Sequence, residues 1–181
     1  MENVLPFRKY LDQDDVPYAT INCADYGVPQ TRRRVFAGGV KNHSIEDLFQ
    51  PTHSKDQWIA IKDALPDLEG EIDEIVKINT GGYGESGSRR AKSVDTDLDQ
   101  PVKTICGGGG GGGAPSVRVE TEYQFIKIRS LSLVETAILQ GFPSDYLIPY
   151  EKKGDAWVII GNAVCPPISQ HMFENLKGLI S

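Results

Sequence analysis

A turn and the opening of a β-strand meet in the stretch DYGVPQTRRRV, which occupies residues 25–35. Three consecutive arginines, Arg32, Arg33 and Arg34, lie at its end. Burying a guanidinium is costly without partners, so arginines beside a core strand indicate either a solvated face or a nearby anion. The forked guanidinium suits phosphate oxygens and base acceptors better than a lysine ammonium does. The stretch alone leaves both interpretations open, and the rest of the chain favours the second.

The composition is that of a globular protein whose contacts with polyanions are local. A chain of 181 residues can form one medium domain, or one core with an inserted lobe. The net charge of −6 opposes general condensation on nucleic acid, so local patches such as residues 32–34 and 89–92 would have to make any contact. No apolar run approaches a membrane span and no signal-peptide pattern opens the chain, which predicts a cytoplasmic protein without a membrane partner.

Cysteine, histidine and glycine patterns exclude several kinds of site. Cys23, Cys106 and Cys165 are odd in number and lack ligand spacing, which predicts reduced thiols and no disulfide framework. The histidines also lack ligand spacing, so no metal site is expected. Seven consecutive glycines fill residues 107–113, but no Gly-Lys-Ser or Gly-Lys-Thr follows them. A nucleotide-binding phosphate loop is therefore excluded.

The chain divides into three zones that differ in composition and residue pattern: residues 1–43, 44–125 and 126–181. The first has helical spacing followed by two short β-rich apolar segments, as in a buried parallel sheet. The second is dense in glycine, proline, aspartate and serine, which predicts an irregular lobe outside any regular sheet. Regular spacing returns in the third zone. The predicted fold class is α/β.

Local signals place the helices and strands. Helical spacing covers residues 4–11 and 58–65, and strand-like segments cover residues 18–24 and 35–40. Ser132 and Glu135 have the spacing of a capping box, which predicts a helix that Gly141 closes. A last helix is predicted to begin near Pro166, with an apolar stripe along one side.

Five landmarks, in this order, resemble the C-terminal half of a DNA cytosine-C5 methyltransferase. They are Glu2-Asn3-Val4 for motif VI, Gln30 to Arg34 for the Gln-x-Arg-x-Arg signature of motif VIII, Pro51 to Ser54 for a stretch that often follows in bacterial members, Arg129 to Pro143 for motif IX, and Gly161 to Pro167 for motif X. The resemblance implies a partial Rossmann-like methyltransferase core in residues 1–43, a target-recognition lobe in 44–125, and a returning segment in 126–181. It also implies S-adenosylmethionine as cofactor, double-stranded DNA as partner, and a prokaryotic or phage origin in a restriction-modification system.

The resemblance implies contacts with DNA and with the reacting base, which must leave the duplex. Glu2 would hydrogen-bond the N3 edge of the flipped cytosine, and Arg34 would donate to its O2, so both are predicted to be catalytic. Because strand residues alternate, Arg32 would share the face of Arg34 and bind phosphate, whereas Arg33 would point away. The predicted DNA-binding residues are Gln30, Arg32, Arg89 and Arg90, with Gln30 also ordering the turn. A terminal, solvated Glu2 is the alternative, favoured for the isolated chain because nothing upstream anchors it.

Other residues take cofactor or structural roles by the same resemblance. Asn162 and the backbone near Val164 would meet the methionine portion of the cofactor, although Asn162 could instead simply support the turn. Arg129 and Glu135 would be structural, with Arg129 a buried strut between the lobe and the core. The glycine run would bring backbone amides close to DNA, or it would form a loop that contacts nothing.

Two parts that the family needs are missing from the sequence: a glycine-rich cofactor loop after the first strand and a Pro-Cys nucleophile loop. None of the three cysteines occupies the matching position. We therefore expect the chain alone to be inactive, and to require an N-terminal methyltransferase half. Met1 directly before Glu2 suggests a split subunit or a truncated fragment, and unpaired strand edges predict self-association. The alternatives are a non-catalytic DNA-binding remnant and a fragment of an RNA cytosine-C5 methyltransferase.

Overall fold

The computed structural model describes residues 2–3, 7–68, 76–80, 95–106, 115–120 and 125–180. The strands are β1 (Glu2–Asn3), β2 (Tyr18–Asn22), β3 (Gln30–Thr31), β4 (Arg33–Ala37), β5 (Val76–Asn79), β6 (Asp95–Asp97), β7 (Val102–Lys103), β8 (Ser116–Glu120) and β9 (Phe125–Ser130). The α-helices are α1 (Arg8–Gln13), α2 (Ile61–Ala64), α3 (Leu133–Leu139), α4 (Lys153–Asn162) and α5 (Pro166–Ile180). Within these ranges, no helix has the length and apolar character that a membrane crossing requires.

The first sheet, which we call the core sheet, has the strand order β1-β4-β2. Both predicted strands are present, but they are shorter than predicted and run antiparallel, so the expectation of a parallel sheet is wrong. Thr20 lies opposite Val35, and Asn22 lies opposite Arg33. A short apolar segment has the same composition in either orientation, which is why the sequence pattern could not distinguish them.

Side chains alternate across β2, and one face forms the first core. Ala19 and Ile21 are buried, whereas Thr20 and Asn22 are half-buried on the opposite face. The buried face packs against α5, which supplies Ile168. The full cluster consists of Ala19, Ile21, Cys23, Tyr26, Val28, Phe36, Ile45, Leu48, Phe49, Cys165 and Ile168. Each large apolar side chain buried there contributes about 1.5–3 kcal/mol to stability.

The turn after β2 ends the strand and holds the segment that follows the core sheet. A 3₁₀ helix covers Cys23–Tyr26 and closes at Gly27, whose φ of +74° suits a residue without Cβ. The Asp25 carbonyl accepts hydrogen bonds from the backbone N–H of Thr52 and of His53 at 3.0 and 2.9 Å. Trp58 Nε1 donates to the Asp25 carboxylate at 2.9 Å. These bonds tether the stretch around Thr52 and His53 to the turn.

The second sheet, which we call the lobe sheet, has the strand order β6-β5-β8-β9, with all neighbours antiparallel. Ile78 lies opposite Thr96 on one side and Val117 on the other. The expectation of an irregular lobe is therefore wrong, because residues 44–125 include three of these strands. The predicted boundary after residue 125 also falls inside the β8–β9 hairpin, where Val119 lies opposite Ile126.

The lobe sheet packs against α2, which precedes it in the sequence, and against α3, which follows it. Its core joins residues of α2 and α3 to the strands and to β7. The cluster consists of Ile61, Leu65, Leu68, Ile78, Val102, Ile105, Val117, Leu131 and Leu139. Because Leu131 and Leu139 belong to the segment after the lobe, the two predicted zones share one core.

Helix ends follow the local signals where those signals are strong. Ser132 Oγ accepts from the Glu135 N–H at 3.1 Å, and Glu135 Oε2 accepts from the Ser132 N–H at 2.6 Å, which confirms the predicted capping box. Gly141 follows α3 with φ +90°, as predicted for a closing glycine. The helix predicted over residues 58–65 is reduced to α2. α4 was not predicted, because it begins without a capping side chain and includes Gly154 in its first turn.

Candidate functional site

The stretch that follows the turn is joined directly to the lobe. Gln30 of β3 lies opposite Val102 of β7 in a parallel pair. The Val102 N–H donates to the Pro29 carbonyl at 3.0 Å, and Thr31 Oγ1 donates to the Val102 carbonyl at 3.2 Å. Thr104 Oγ1 donates back to the Thr31 carbonyl at 3.2 Å. These hydrogen bonds connect the predicted motif VIII segment to Val102 and Thr104, which lie just before the glycine run.

Arg32 is buried, with 2% of its surface exposed, and it bridges two backbone carbonyls. Its Nη1 donates to the Ile105 carbonyl at 2.9 Å, and its Nη2 donates to the Gly161 carbonyl at 2.8 Å. Arg32 lies between β3 and β4, so strand alternation does not place it beside Arg34. The predicted phosphate contact is therefore corrected: the guanidinium is directed inward and bonds the chain itself.

Gln30 is fully buried and uses both ends of its amide. Its Nε2 donates to the Leu139 carbonyl at 3.1 Å and to Gln140 Oε1 at 2.8 Å, while its Oε1 accepts from the Ile105 N–H at 3.0 Å. Gln140 is also fully buried, and its Nε2 donates to the Ala163 carbonyl at 3.0 Å. The predicted DNA contact by Gln30 is therefore corrected too, because its amide is fully buried and bonds the chain itself.

We call the three side chains Gln30, Arg32 and Gln140, with the backbone groups they bind, the junction. It brings together the segments that resemble motifs VIII, IX and X. It also holds the part of the lobe at Ile105. Sequence reasoning quoted Gln140 within the motif IX stretch but gave it no role, and its burial between two other amides has no local sequence signal.

Arg34 and Glu2 lie on neighbouring strands of the core sheet. Glu2 pairs opposite Phe36, two residues along β4 from Arg34. Arg34 is half-buried, and its Nη1 donates to the Arg33 carbonyl at 2.8 Å. Arg33 is exposed and pairs opposite Asn22. Strand alternation places Arg33 and Arg34 on opposite faces of the sheet, and the catalytic role of Arg34 stays a prediction.

A cleft of about 810 Å³ opens on the Arg33 face, between the core sheet and the lobe. Basic side chains line it at Arg33, Lys55 and Lys103. Acidic side chains line it as well, at Asp25, Asp95 and Asp97. The mixed charge distinguishes this cleft from a uniformly basic groove that would follow a phosphate backbone.

The loop between α4 and α5 contains both predicted cofactor residues. Asn162 is the last residue of α4 and is exposed, whereas Val164 is half-buried against the first core cluster. The carbonyls of Gly161 and Ala163, on either side of Asn162, are held by the junction. The loop thus presents the Asn162 amide outward on a fixed backbone. A polar amide beside an apolar side chain fits the methionine portion of S-adenosylmethionine, which carries an ammonium, a carboxylate and a short apolar chain.

Arg129 and Glu135 connect β9 to α3 through two parallel hydrogen bonds. Arg129 Nη1 and Nη2 donate to the two carboxylate oxygens of Glu135 at 2.9 and 2.7 Å. Both side chains are half-buried, so Arg129 is more exposed than predicted. Burial would raise the pKa of Glu135, but the hydrogen bonds from Arg129 and Ser132 outweigh it and lower the pKa below its ordinary value. The structural role of this pair stays a prediction.

The remaining predicted residues divide into two groups. Arg89, Arg90 and the glycine run at 107–113 lie outside the described residues. Cys23 and Cys165 are buried with their Sγ atoms 3.4 Å apart, well beyond a disulfide bond of about 2.05 Å. Cys106 is half-buried. Among the described residues, no cluster of three or more histidine, cysteine or carboxylate side chains could hold a metal ion.

Comparison with known proteins identifies relatives over most of the chain. It is 28% identical over 190 residues to the type II methyltransferase M.MthTI of Methanothermobacter thermautotrophicus, an alignment that covers 90% of this chain and 56% of that protein. It is 30% identical to the type II methyltransferase M2.BsuMI of Bacillus subtilis strain 168, over 91% of this chain and 41% of that protein. The chain spans about half the length of the curated relatives it matches.

A solved structure and a family model extend the comparison. The S. pombe Dnmt2 methyltransferase is similar in fold, with a TM-score of 0.54 and 18% identity, over 98% of this chain and 64% of that one. The family model for C-5 cytosine-specific DNA methylase matches residues 13–96 and 77–178. These matches include the segments that meet at the junction. The chain therefore belongs to the C-5 cytosine-specific DNA methylase family.

Proposed function

We propose that the chain is the C-terminal portion of a DNA cytosine-C5 methyltransferase, and that it supplies base contacts, target recognition and part of the cofactor site. The observation that carries this proposal is the junction. Three segments, each quoted for its resemblance to one motif, meet there in one buried hydrogen-bond network, and the first lies more than 100 residues before the other two. Chance resemblance of short motifs gives no reason for such a meeting.

The base-contacting role belongs to Glu2 and Arg34. Methylation at C5 requires a thiolate to add to C6 of the flipped cytosine, after which charge develops on N3 and O2 of the ring. A guanidinium at Arg34 stabilises the charge at O2, and a carboxyl at Glu2 hydrogen-bonds the N3 edge. Both residues lie on adjacent strands of the core sheet. Because Gln30 and Arg32 serve the junction, we assign the phosphate contacts to the lobe, with Arg89 and Arg90 as candidates.

The cofactor role belongs to the α4–α5 loop. S-adenosylmethionine supplies an electrophilic methyl group on its sulfonium sulfur when it is bound. The Asn162 amide binds the polar end of its methionine portion, and Val164 provides apolar contact and backbone groups. The junction orients this loop by holding the carbonyls of Gly161 and Ala163. The rest of the cofactor site comes from residues outside this chain.

The nucleophile also comes from outside this chain. Cys23 and Cys165 are buried in the first core cluster, where a thiolate would be poorly solvated and out of reach of a base. Cys106 lies beside the glycine run and follows no proline. We propose an N-terminal methyltransferase half as the partner that carries the Pro-Cys loop.

Residues 44–125 would recognise the target sequence in double-stranded DNA. The lobe sheet gives this zone a rigid frame, which a reader of base edges needs. The lobe and the strand that carries Arg34 are joined through the junction. Target choice and cytosine chemistry would therefore lie in separate parts of one connected structure.

Methyl transfer from labelled S-adenosylmethionine to double-stranded DNA tests the proposal. We expect no transfer by the purified chain, and 5-methylcytosine in the DNA once a polypeptide from a family member carrying the glycine-rich and Pro-Cys loops is added. Transfer by the chain alone, abolished by replacing one of its own cysteines, would overturn it. DNA binding without transfer in any mixture would favour a non-catalytic remnant, and transfer to RNA instead of DNA would favour the RNA-directed alternative.

We also propose that the isolated chain self-associates. Large apolar side chains are exposed on its helices, with Ile159 at 42%, Phe173 at 55% and Ile180 at 68%. Such side chains favour association when no partner covers them. Sedimentation over a dilution series should show a concentration-dependent mass, and a monomer at all concentrations would contradict this.

A further inference from the structure

We infer that Gln30, Arg32 and Gln140 are positioning residues that couple DNA recognition by the lobe to cofactor binding at the α4–α5 loop. This inference rests on the proposed function. It assigns to the junction a role in the enzyme's response to its two ligands, in addition to holding the fold together.

The first bridge is Arg32. One planar guanidinium binds the Ile105 carbonyl with Nη1 and the Gly161 carbonyl with Nη2. Ile105 lies two residues before the glycine run, and Gly161 lies immediately before Asn162. Because the guanidinium is rigid, a shift of either carbonyl moves the donor that the other one needs. Arg32 therefore links the start of the glycine-rich segment to the cofactor loop through a single group.

The second bridge runs through the amides. The Ile105 N–H donates to Gln30 Oε1, Gln30 Nε2 donates to Gln140 Oε1, and Gln140 Nε2 donates to the Ala163 carbonyl. Each step lies between 2.8 and 3.0 Å. Both bridges begin at the same lobe residue, and they end on the two residues that flank Asn162.

The direction of the hydrogen bonds allows one arrangement of the amides. Gln30 Nε2 faces two acceptors, the Leu139 carbonyl and Gln140 Oε1, while its Oε1 faces the Ile105 N–H. Rotating this amide by 180° would oppose acceptor to acceptor and donor to donor. All three side chains are at most 2% exposed, so water cannot replace a lost partner. Moving one member of such a network therefore displaces its partners as well, and coupling between two sites can be carried by hydrogen-bond networks of this kind.

The first test measures coupling in the chain combined with its complementing half. Fluorescence anisotropy gives the Kd for a duplex with a target cytosine, with and without S-adenosylhomocysteine. A titration with S-adenosylhomocysteine, with and without the duplex, gives the reciprocal comparison. We expect the cofactor analogue to strengthen DNA binding at least about fivefold, the low end of typical couplings. In Arg32→Lys and Gln140→Leu the factor should fall to within about twofold of unity, and the same factor should appear from the cofactor side.

Matched controls separate coupling from general damage. Arg33→Lys makes the same substitution one residue along, at an exposed position. Gln170→Leu removes an exposed amide that binds Glu174 on the surface of α5 at 2.8 Å. Both should keep the wild-type coupling factor. A complex that binds neither ligand would refute the proposed function, whereas a complex that binds both with unchanged coupling in the junction variants would refute this inference alone.

The second test needs neither activity nor a partner. Gln140→Leu leaves Ile105 and its hydrogen-bond acceptor Gln30 Oε1 unaltered, and it acts on them through the bond between Gln30 and Gln140. If the change at position 140 is transmitted through Gln30 to Ile105, amide hydrogen exchange at Ile105 should accelerate at least about tenfold in this variant. The amides of the β2–β4 pair should keep their protection. Unchanged exchange at Ile105 would overturn the inference, and so would a uniform acceleration across the core sheet.

Discussion

The core sheet and the lobe sheet bury different kinds of side chain. The buried residues of β2 and β4 in the core sheet, Ala19, Ile21, Val35 and Phe36, are all apolar. The lobe sheet buries Asn79, Thr96 and Ser116 beside its apolar residues. Asn79 finds a partner in Asp95 of the neighbouring strand, with Nδ2 donating to Oδ1 at 2.9 Å. The core sheet is thus stabilised by apolar burial, which any complementary apolar surface can provide. The lobe sheet also needs specific polar partners.

This difference bears on the proposed division of recognition and chemistry between the two sheets. A sheet held by apolar packing tolerates changes outside its core, and the proposed base contacts Glu2 and Arg34 lie on two of its strands. A sheet with buried polar pairs accepts fewer internal changes, because each unpaired group costs about 1–3 kcal/mol. The junction lies between the two sheets and is almost entirely polar.

The largest expected effect concerns whether the two regions unfold together. Ile21→Ala in the core sheet and Ile78→Ala in the lobe sheet should each lower the free energy of unfolding by about 2–5 kcal/mol, because both side chains are buried. If the junction joins the regions, both variants should shift one cooperative urea transition. Leu147→Ala is the control, since Leu147 is 89% exposed and should change the free energy by less than about 0.5 kcal/mol. Two separate transitions would show that the regions are independent.

The next effect concerns Arg34, the proposed base contact on the central strand of the core sheet. In the reconstituted enzyme, Arg34→Ala should lower kcat about 10- to 100-fold with little change in KM for DNA, because a charge-assisted hydrogen bond formed as charge develops is lost. Arg33→Ala, on the opposite face, should leave kcat within about twofold. Steady-state methylation kinetics distinguish the two. If Arg34→Ala and Arg33→Ala changed KM equally and left kcat unchanged, Arg34 would have no role in the chemical step.

A smaller effect concerns the contact between the lobe sheet and α3. Glu135→Gln should destabilise the chain by about 1–2 kcal/mol at pH 7, because it weakens both the helix cap and the pair with Arg129. The folded-state pKa of Glu135 is lowered, so its contribution is present above the unfolded pKa of about 4.3 and is lost as pH falls through the folded value. The free energies of unfolding of the wild type and of Glu135→Gln, measured with urea, should therefore converge as the pH is lowered. A difference that stays constant with pH would contradict this.

The smallest effect concerns the tether between the turn after β2 and the segment leading to the lobe. Trp58→Phe removes the indole N–H that donates to Asp25 and should cost about 1 kcal/mol. Asp25→Asn keeps an acceptor oxygen and should cost less. Thermal unfolding of the two variants measures the difference, and an equal loss in both would point to the charge on Asp25 instead of the hydrogen bond.

Sequence reasoning succeeded where the signal is local. The capping box at Ser132 and Glu135, the closing Gly141 and the start of α5 at Pro166 each depend on neighbouring residues, and each is present. The lobe strands were missed because Asp95–Asp97 is entirely polar and the other three, which mix apolar and polar residues, lie in or beside glycine- and aspartate-rich sequence. Their identity as strands comes from cross-strand pairing, which adjacent residues do not reveal.

The candidate site shows the same limit. Alternation along a continuous strand predicted that Arg32 faces DNA beside Arg34. The interruption between β3 and β4 redirects Arg32 inward, towards acceptors 73 and 129 positions away in the sequence. No local pattern distinguishes an arginine that binds phosphate from one that binds distant carbonyls. The prediction for Arg34 survives as a proposal because β4 is a regular strand at that residue.

The span of the Arg32 bridge also has a consequence for biosynthesis. Arg32 leaves the ribosome long before Gly161, its acceptor 129 positions later. At synthesis rates of about 5–20 residues per second, the guanidinium lacks that partner for roughly 6–26 seconds. During that interval the core sheet also lacks α5, so the nascent chain is a natural client for chaperones. Ribosome-bound chains arrested before and after α5 has emerged should differ in the protease resistance of their first 40 residues, and equal resistance would show that the core sheet closes without it.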